Sequence, residues 1–266
     1  MARIAIIGGG NMGEALLAGL LRAGRQVKDL VLSEKSADRA EFLSQTYSVQ
    51  VASLADAVAN AAFVILAVKP ADVETIIAEI ADAAGKAESD AVEQVLVSVV
   101  AGITTGFYES HLPAGYPVIR VMPNAPALVG AGITALAKGR FSTAEQLSTA
   151  AALFESVGVV LTVPEAQIDA VTAVSGSGPA YFFLFLEALV DAGVANGLSR
   201  AVATELAVQT MAGSVAMLLD RTEAPDTGTT ARPDTTAAEL RAMVTSPGGT
   251  TAVSYTHLTL PTILLV

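Results

Sequence analysis

The opening segment of the chain constrains the fold more than any other. Arg3 to Ile7 is a β-rich run, Gly8, Gly10 and Gly13 follow with G-x-G-x-x-G spacing, and Glu14 to Ala23 has helix-forming composition with Gly24 as a C-terminal stop. A strand that turns through glycines into a helix suits a dinucleotide. Gly8 permits the tight turn, Gly10 lets the backbone approach a pyrophosphate, and Gly13 lets the helix pack closely on the strand, its N-terminus facing the phosphate charge. The plain alternative is an ordinary strand-to-helix turn.

A second β-rich run, Asp29 to Ser33, leads into Ser33-Glu34-Lys35-Ser36, about 20 residues beyond Gly13, where the fingerprint places a ribose-reading residue. The signals conflict. Glu34 can accept hydrogen bonds from ribose hydroxyls, as suits NAD, whereas Ser33, Lys35 and Ser36 can hold the 2′-phosphate of NADP. A solvated polar turn is the alternative for all four.

Composition bounds the rest. A length of 266 residues with 52% hydrophobic side chains allows one large or two ordinary domains. The chain has no cysteine and two histidines, which leaves neither a disulfide framework nor the ligands of a structural zinc site, and no metal is expected. A formal charge of −11 disfavours non-specific binding to nucleic acid or to an anionic membrane. The longest apolar stretch, Pro179 to Ala195, is interrupted by Glu187 and Asp191 and reads as a buried helix rather than a span. The apolar N-terminus breaks at Gly8 without a cleavage-like pattern, so the expected location is cytoplasmic.

Along the chain, strand candidates at Phe63 to Val68, Val95 to Val100, Val118 to Met122, Gly132 to Ala137 and Val159 to Val163 alternate with helix candidates at Ala71 to Ala84, Thr105 to His111 and Thr143 to Val157. The last helix has Ser142 or Thr143 as N-cap and Glu145 in its first turn. Such alternation predicts a mostly parallel, doubly wound sheet ending near Pro164. From Glu165 to Leu219 strand signals disappear. Helices over Ala180 to Asn196 and Arg200 to Leu219, punctuated by Ser175-Gly176-Ser177-Gly178-Pro179 and Gly197-Leu198-Ser199, are apolar over more than one face, which implies several neighbours or a second subunit. Glu223 to Thr236, rich in Thr, Pro and Asp, reads as a flexible loop.

Near the other end, Thr245-Ser246-Pro247-Gly248-Gly249-Thr250-Thr251 has small residues whose backbone N–H groups can converge on an anion, with hydroxyls of Ser246, Thr250 and Thr251 as further donors. A helix-capping turn is the equally weighted alternative from sequence alone.

The chain resembles the pyrroline-5-carboxylate reductases, which reduce a cyclic imine to proline with NAD(P)H. The resemblance runs from about Arg3 to Ala252. It is carried by Gly8-Gly9-Gly10-Asn11-Met12-Gly13, Ala67-Val68-Lys69-Pro70, Ala101-Gly102-Ile103, Arg120-Val121-Met122-Pro123-Asn124, Ser175-Gly176-Ser177-Gly178-Pro179-Ala180-Tyr181 and Ser246-Pro247-Gly248-Gly249-Thr250-Thr251. It implies an α/β fold with a Rossmann-type dinucleotide-binding domain over residues 1–163 and an all-helical substrate and dimerisation domain over 164–253. It also implies cofactor contacts from Gly8, Gly10, Asn11, Met12, Gly13, Ser33, Lys35, Ser36, Ala67, Val68, Lys69, Pro70, Ala101, Gly102 and Asn124, the last near the nicotinamide. NADPH is the expected cofactor, with NADH also possible. Ser246, Gly248, Gly249, Thr250 and Thr251 would hold the substrate, Thr251 being the catalytic threonine that bonds the ring nitrogen. The expected assembly is a homodimer or larger homo-oligomer.

Direct hydride transfer to the imine carbon fits these motifs. A protonated imine already carries the proton its amine retains, the matched motifs contain no acidic residue, and neither His111 nor His257 lies in one. Positioning and electrostatics then carry catalysis. Two departures stand out. Where relatives commonly have a His-Pro pair before the substrate loop, this chain has Pro233-Asp234-Thr235-Thr236, and after Ala252 the expected helical hairpin is replaced by a β-branched, apolar tail, 254–266, that reads as a non-native end. The alternatives are a related imine reductase or β-hydroxyacid-type dehydrogenase, disfavoured because Lys138 is the last lysine in the chain, and a non-catalytic NAD(P)-binding module.

Overall fold

A computed structural model describes residues 3–59, 61–85, 93–223 and 236–254. The chain divides into two compact units between Phe182 and Phe183.

The first unit is built on an eight-stranded sheet: β1 Ile4–Ile7, β2 Leu30–Ser33, β3 Gln50–Val51, β4 Phe63–Leu66, β5 Val95–Ser98, β6 Val118–Met122, β7 Gly132–Lys138 and β8 Gly158–Thr162. Their order is β3-β2-β1-β4-β5-β6-β7-β8, and every neighbouring pair is parallel except β6 with β7. Helices connect the strands: α1 Asn11–Arg22, α2 Ala37–Tyr47, α3 Leu54–Val58, α4 Val73–Gly85, α5 Thr105–His111 and α6 Ala144–Phe154, while α7 Ile168–Val171 follows β8.

The continuous apolar strands are explained by burial on both faces. Ile4, Ile6, Leu30, Leu32 and Ile65 point into one core with Leu16, Leu17 and Leu20 of α1 and Leu153 and Phe154 of α6. Ala5, Ile7, Val31, Val64 and Leu66 point into the other with Ile77 and Ile80 of α4 and Tyr108 of α5. Pleating sends alternate residues to opposite faces, so no polar position was needed in these runs. Local signals set the helix ends. Ser53, Thr104 and Thr143 cap α3, α5 and α6, and Thr143 forms a reciprocal capping box with Gln146. Gly24, at φ +88°, closes α1 as expected.

Several boundaries differ from the sequence reading. α1 starts at Asn11 because Gly10 serves as its N-cap. The β4 and β5 strands stop two residues early, at Leu66 and Ser98, where the chain leaves the sheet. The two-residue strand β3 has too short a period to be read, and only its pairing with Val31 and Leu32 defines it. The Ser175–Pro179 stretch does not interrupt the helical path: Thr172–Gly176 forms a widened π-type turn that leads into α8, Gly178–Ala195. Within the first unit the residues leading into this stretch are anchored to β6, where buried Arg120 pairs with Asp169 at 2.9 Å, and to α5, where Glu165 accepts from the Thr105 N–H and hydroxyl, both at 2.6 Å.

The second unit holds most of α8, then α9 Arg200–Glu223 and α10 Thr236–Met243. Val190 packs against Ala203 and Ala207, and a Cβ on Gly193 would stand 3.1 Å from that of Ala203, so small residues set the approach of α8 and α9. Elsewhere these helices expose large apolar side chains, among them Leu184, Phe185, Leu189, Leu206 and Leu219. Residues 224–235 of the expected loop and the chain beyond residue 254 lie outside the described residues.

Among the described residues, Thr134 Oγ1 on β7 is buried without a hydrogen-bond partner. Thr134→Val removes an unsatisfied hydroxyl at nearly constant volume, and urea denaturation is expected to show a gain of about 1 kcal/mol.

Candidate functional site

The strand order reverses direction at β1, which has β2 on one side and β4 on the other, and in open α/β sheets ligands bind at the carboxyl ends of the strands beside such a switch point. A cleft of about 690 Å³ opens there. Of the residues named from sequence, Gly8, Gly10, Ser33, Lys35, Ser36, Ala67, Val68 and Lys69 line it. Asn11, Met12, Gly13, Pro70, Ala101, Gly102 and Asn124 do not.

The glycines are required by different contacts. Gly8 has φ +101°, its N–H donates to Ser33 O at 2.8 Å, and a Cβ there would stand 2.5 Å from Ala67 O. A Cβ on Gly13 would collide with the Gly8 carbonyl oxygen, so α1 can lie against the turn only through glycine. Gly10 is the reverse case: its φ is −66° and nothing lies within 4 Å of a Cβ built on it. The space it leaves open adjoins the N-terminus of α1, whose first N–H groups receive no side-chain cap. A pyrophosphate fits this arrangement of open space, backbone donors and helix terminus.

The β2 end supplies a second layer. Glu34 Oε2 accepts from the Gly9 N–H at 2.7 Å and Oε1 from the Ser36 N–H at 2.8 Å. Lys35 Nζ lies 3.0 and 3.1 Å from the two carboxylate oxygens of Asp72. Arg39, not singled out from sequence, lines the cleft, donates from Nε to Gly9 O at 2.7 Å and pairs through Nη2 with Glu14. Tyr47 Oη also donates to Glu14, at 2.8 Å. Burial pushes the Glu14 carboxyl up, but hydrogen bonds from Arg39 and Tyr47 and the Arg39 charge outweigh it and hold its pKa below the ordinary value. Burial, reinforced by Glu14, raises that of Tyr47. No short-range pattern joins Glu14, Arg39 and Tyr47, which lie on different helical turns and meet only in the fold.

Asn124, buried at the end of β6, uses both ends of its amide on backbone: Oδ1 accepts from Ile133 N–H at 2.9 Å and Nδ2 donates to Ser175 O at 3.2 Å. A Cβ on Gly176 would stand 2.9 Å from Met122 Cε. The Met122-Pro123-Asn124 and Ser175-Gly176 motifs, distant in sequence, are thus one packed corner. Ala101 and Gly102 lie exposed after β5, Gly102 at φ +78°. In the second unit, Gly248 has φ +67°, the Gly249 N–H donates to Ser246 O at 3.0 Å, and residues 250–254 are helical. Ser246, Gly248, Thr250 and Thr251 are exposed.

The chain is 68% identical over 263 residues to the pyrroline-5-carboxylate reductase of Mycobacterium tuberculosis, covering 97% of this chain and 89% of that protein. It belongs to the pyrroline-5-carboxylate reductase family. Residues 165–260 match the family described as pyrroline-5-carboxylate reductase dimerisation, and residues 3–102 that described as NADP oxidoreductase coenzyme F420-dependent. The pyrroline-5-carboxylate reductase of Coxiella burnetii superposes with a TM-score of 0.83 at 31% identity, covering 98% of this chain and 92% of that one. That of Plasmodium falciparum, solved with NADP bound, superposes with a TM-score of 0.82 at 27% identity over 99% and 92%.

Two outcomes are expected from this geometry. Gly10→Val should fold normally, since its backbone is ordinary and its Cβ meets nothing, yet weaken NADPH binding at least about tenfold in a fluorescence titration; unchanged affinity would exclude this turn as the pyrophosphate site. Glu14→Gln should lower stability by about 1 kcal/mol at neutral pH. Because the folded pKa is depressed, that difference should narrow as pH falls below 4.5 and close once the folded carboxyl is protonated, as denaturant titrations across pH would show.

Proposed function

We propose that this chain reduces 1-pyrroline-5-carboxylate to L-proline with hydride from NADPH, NADH serving as an alternative donor. The observation that carries this reading is a glycine-built dinucleotide cleft at the sheet's switch point, in a chain 68% identical across nearly its whole length to a pyrroline-5-carboxylate reductase. When bound, the nicotinamide supplies the hydride that adds to the imine carbon.

The residues of this chain bind and orient. Gly8, Gly10 and the first N–H groups of α1, from Asn11 to Gly13, hold the pyrophosphate, and Lys69, in no ion pair among the described residues, adds charge from the end of β4. Ser33, Lys35 and Ser36 face the adenosine ribose. Asn124 fixes the corner after β6 through its two backbone hydrogen bonds, a positioning role. In the second unit, the N–H groups at Gly248 to Thr251 and the Ser246 hydroxyl take the substrate carboxylate, and the Thr251 hydroxyl bonds the ring nitrogen. The imine enters protonated, so the hydride completes the amine without a general acid. Catalysis is then alignment and electrostatic stabilisation.

The assembly proposed is a homodimer or larger homo-oligomer, supported by the match of 165–260 to a dimerisation family and by the exposed apolar side chains of α8 and α9. Glu165–Ala195 and Arg200–Asp220 are also long and apolar enough to cross a membrane. Exposed Glu187 and Asp191 argue against that, since each charge at a bilayer centre costs roughly 2.5 kcal/mol or more, whereas a second copy can leave both at a wet rim. We place the enzyme in the cytoplasm, without nucleic acid or membrane partners.

The test is NADPH and NADH oxidation dependent on pyrroline-5-carboxylate. Thr251→Val should lower kcat/KM by roughly 10- to 100-fold, the loss of one or two well-placed hydrogen bonds, and leave cofactor affinity almost unchanged. Wild-type kinetics in the variant would remove Thr251 from the site.

A further inference from the structure

The β2 end of the cleft presents groups suited to a 2′-phosphate, and this chain already engages two of its cations and two of its backbone N–H groups with internal partners. The backbone N–H groups of Gly9 and Ser36 converge on one anion, and that anion is Glu34, at 2.7 and 2.8 Å. The Lys35 ammonium is held by both oxygens of Asp72, from the far side of β1. The Arg39 guanidinium is held by Glu14 and Gly9 O. Glu34, Lys35, Ser36, Arg39 and Asp72 all line the same cleft, and Glu34 stands where the fingerprint reads the ribose.

We propose that Glu34 and Asp72 act as internal competitors for the 2′-phosphate and so help set cofactor choice, narrowing the preference of the cleft for NADPH over NADH. This rests on the reading of the cleft as the dinucleotide site. A 2′-phosphate carries nearly two negative charges and needs donors not already spent on a carboxylate. To bind here it must displace Glu34 from the Gly9 and Ser36 N–H groups, or tolerate its charge at close range, and it must draw Lys35 off Asp72. NADH needs neither change, and its ribose hydroxyls can donate to Glu34. The Lys35–Asp72 pair is the cheaper of the two to open, because Lys35 is 78% exposed and such pairs are weak. Glu34, half-buried against the glycine turn, is the stronger determinant. A side chain at Gly9 would crowd it, since a Cβ there would stand 3.2 Å from Oε2 and 2.5 Å from Leu43 Cδ1.

The experiment measures dissociation constants for NADPH and NADH by fluorescence titration on wild type, Glu34→Gln and Asp72→Asn. Glu34→Gln keeps the side chain's size and removes its charge; the ratio of NADPH to NADH affinity should rise about tenfold. Asp72→Asn frees Lys35 without touching the glycine turn and should move the ratio the same way by about two- to fivefold. Adding both changes should exceed either alone. Equal weakening of both cofactors by Glu34→Gln together with an unmoved ratio in Asp72→Asn would overturn the proposal, making Glu34 a brace for the turn and nothing more. An unmoved ratio in both variants at wild-type affinities would overturn it too. Wild-type turnover of pyrroline-5-carboxylate is read separately, so failure of the proposed reaction and failure of this assignment give different results.

Discussion

The contact on which the site depends is the approach of α1 to the turn after β1. Gly13 lies against the Gly8 carbonyl so closely that no Cβ fits, and Gly8 itself adopts a left-handed φ with Ala67 O close behind it. That single approach brings the N-terminus of α1 to the carboxyl edge of the sheet. It also orders what surrounds it: the Gly8 N–H is tied to the end of β2 through Ser33 O, and Ala67 N–H is tied to Ile7 O, so the rims of the cleft on both sides of β1 are fixed by the same short segment. Substituting any larger residue would move the helix, and with it every backbone donor that faces the cleft.

Around this contact the chain uses acids as structural ligands. Glu34 holds two backbone N–H groups, Glu14 holds Arg39 and Tyr47, and Glu165 holds Thr105 beside Arg120. Each joins segments that are far apart in sequence. Satisfying buried or half-buried donors with carboxylates fixes loop geometry, because a displaced partner would leave a charge or an N–H without a bond. The same economy makes these acids visible to a bound anion, which is why residues that brace the turn also bear on what the turn accepts.

What the sequence made legible follows from the range of each signal. The β1–α1 unit, the alternation of strands and helices and the caps at Thr143 and Gly24 depend on contacts within a few residues, and they were readable. β3, with two residues, carries no period, and the continuation of helix through Ser175–Gly178 runs against the turn chemistry of two glycines and a proline. In the candidate site, the glycines and the β2 end were legible from spacing, whereas Arg39, Glu14 and Asp72 were not, since their partners lie 25 to 37 positions away. Asn124 was legible only as a member of a family motif; its two backbone bonds, to Ile133 and Ser175, appear once β6 and β7 are paired.

A chain with a formal charge of −11 presents a long-range field that repels a dinucleotide phosphate. Physiological salt limits that field to a Debye length of about 8 Å, so recognition must come from groups in near contact. The donors available at that range are mainly backbone: the Gly10 N–H and the first turn of α1, since the Gly8 and Gly9 N–H groups already donate to Ser33 O and Glu34. Of the nearby side-chain cations, Lys35 and Arg39 already face carboxylates, which leaves Lys69 as the cleft cation in no ion pair among the described residues. Backbone dipoles fixed by close packing lose little on reorganisation when an anion arrives, whereas a paired lysine must first exchange its partner. A cleft built this way offers an anion geometry set by glycine rather than net charge, so an acidic chain needs no basic surface to suit an anionic ligand.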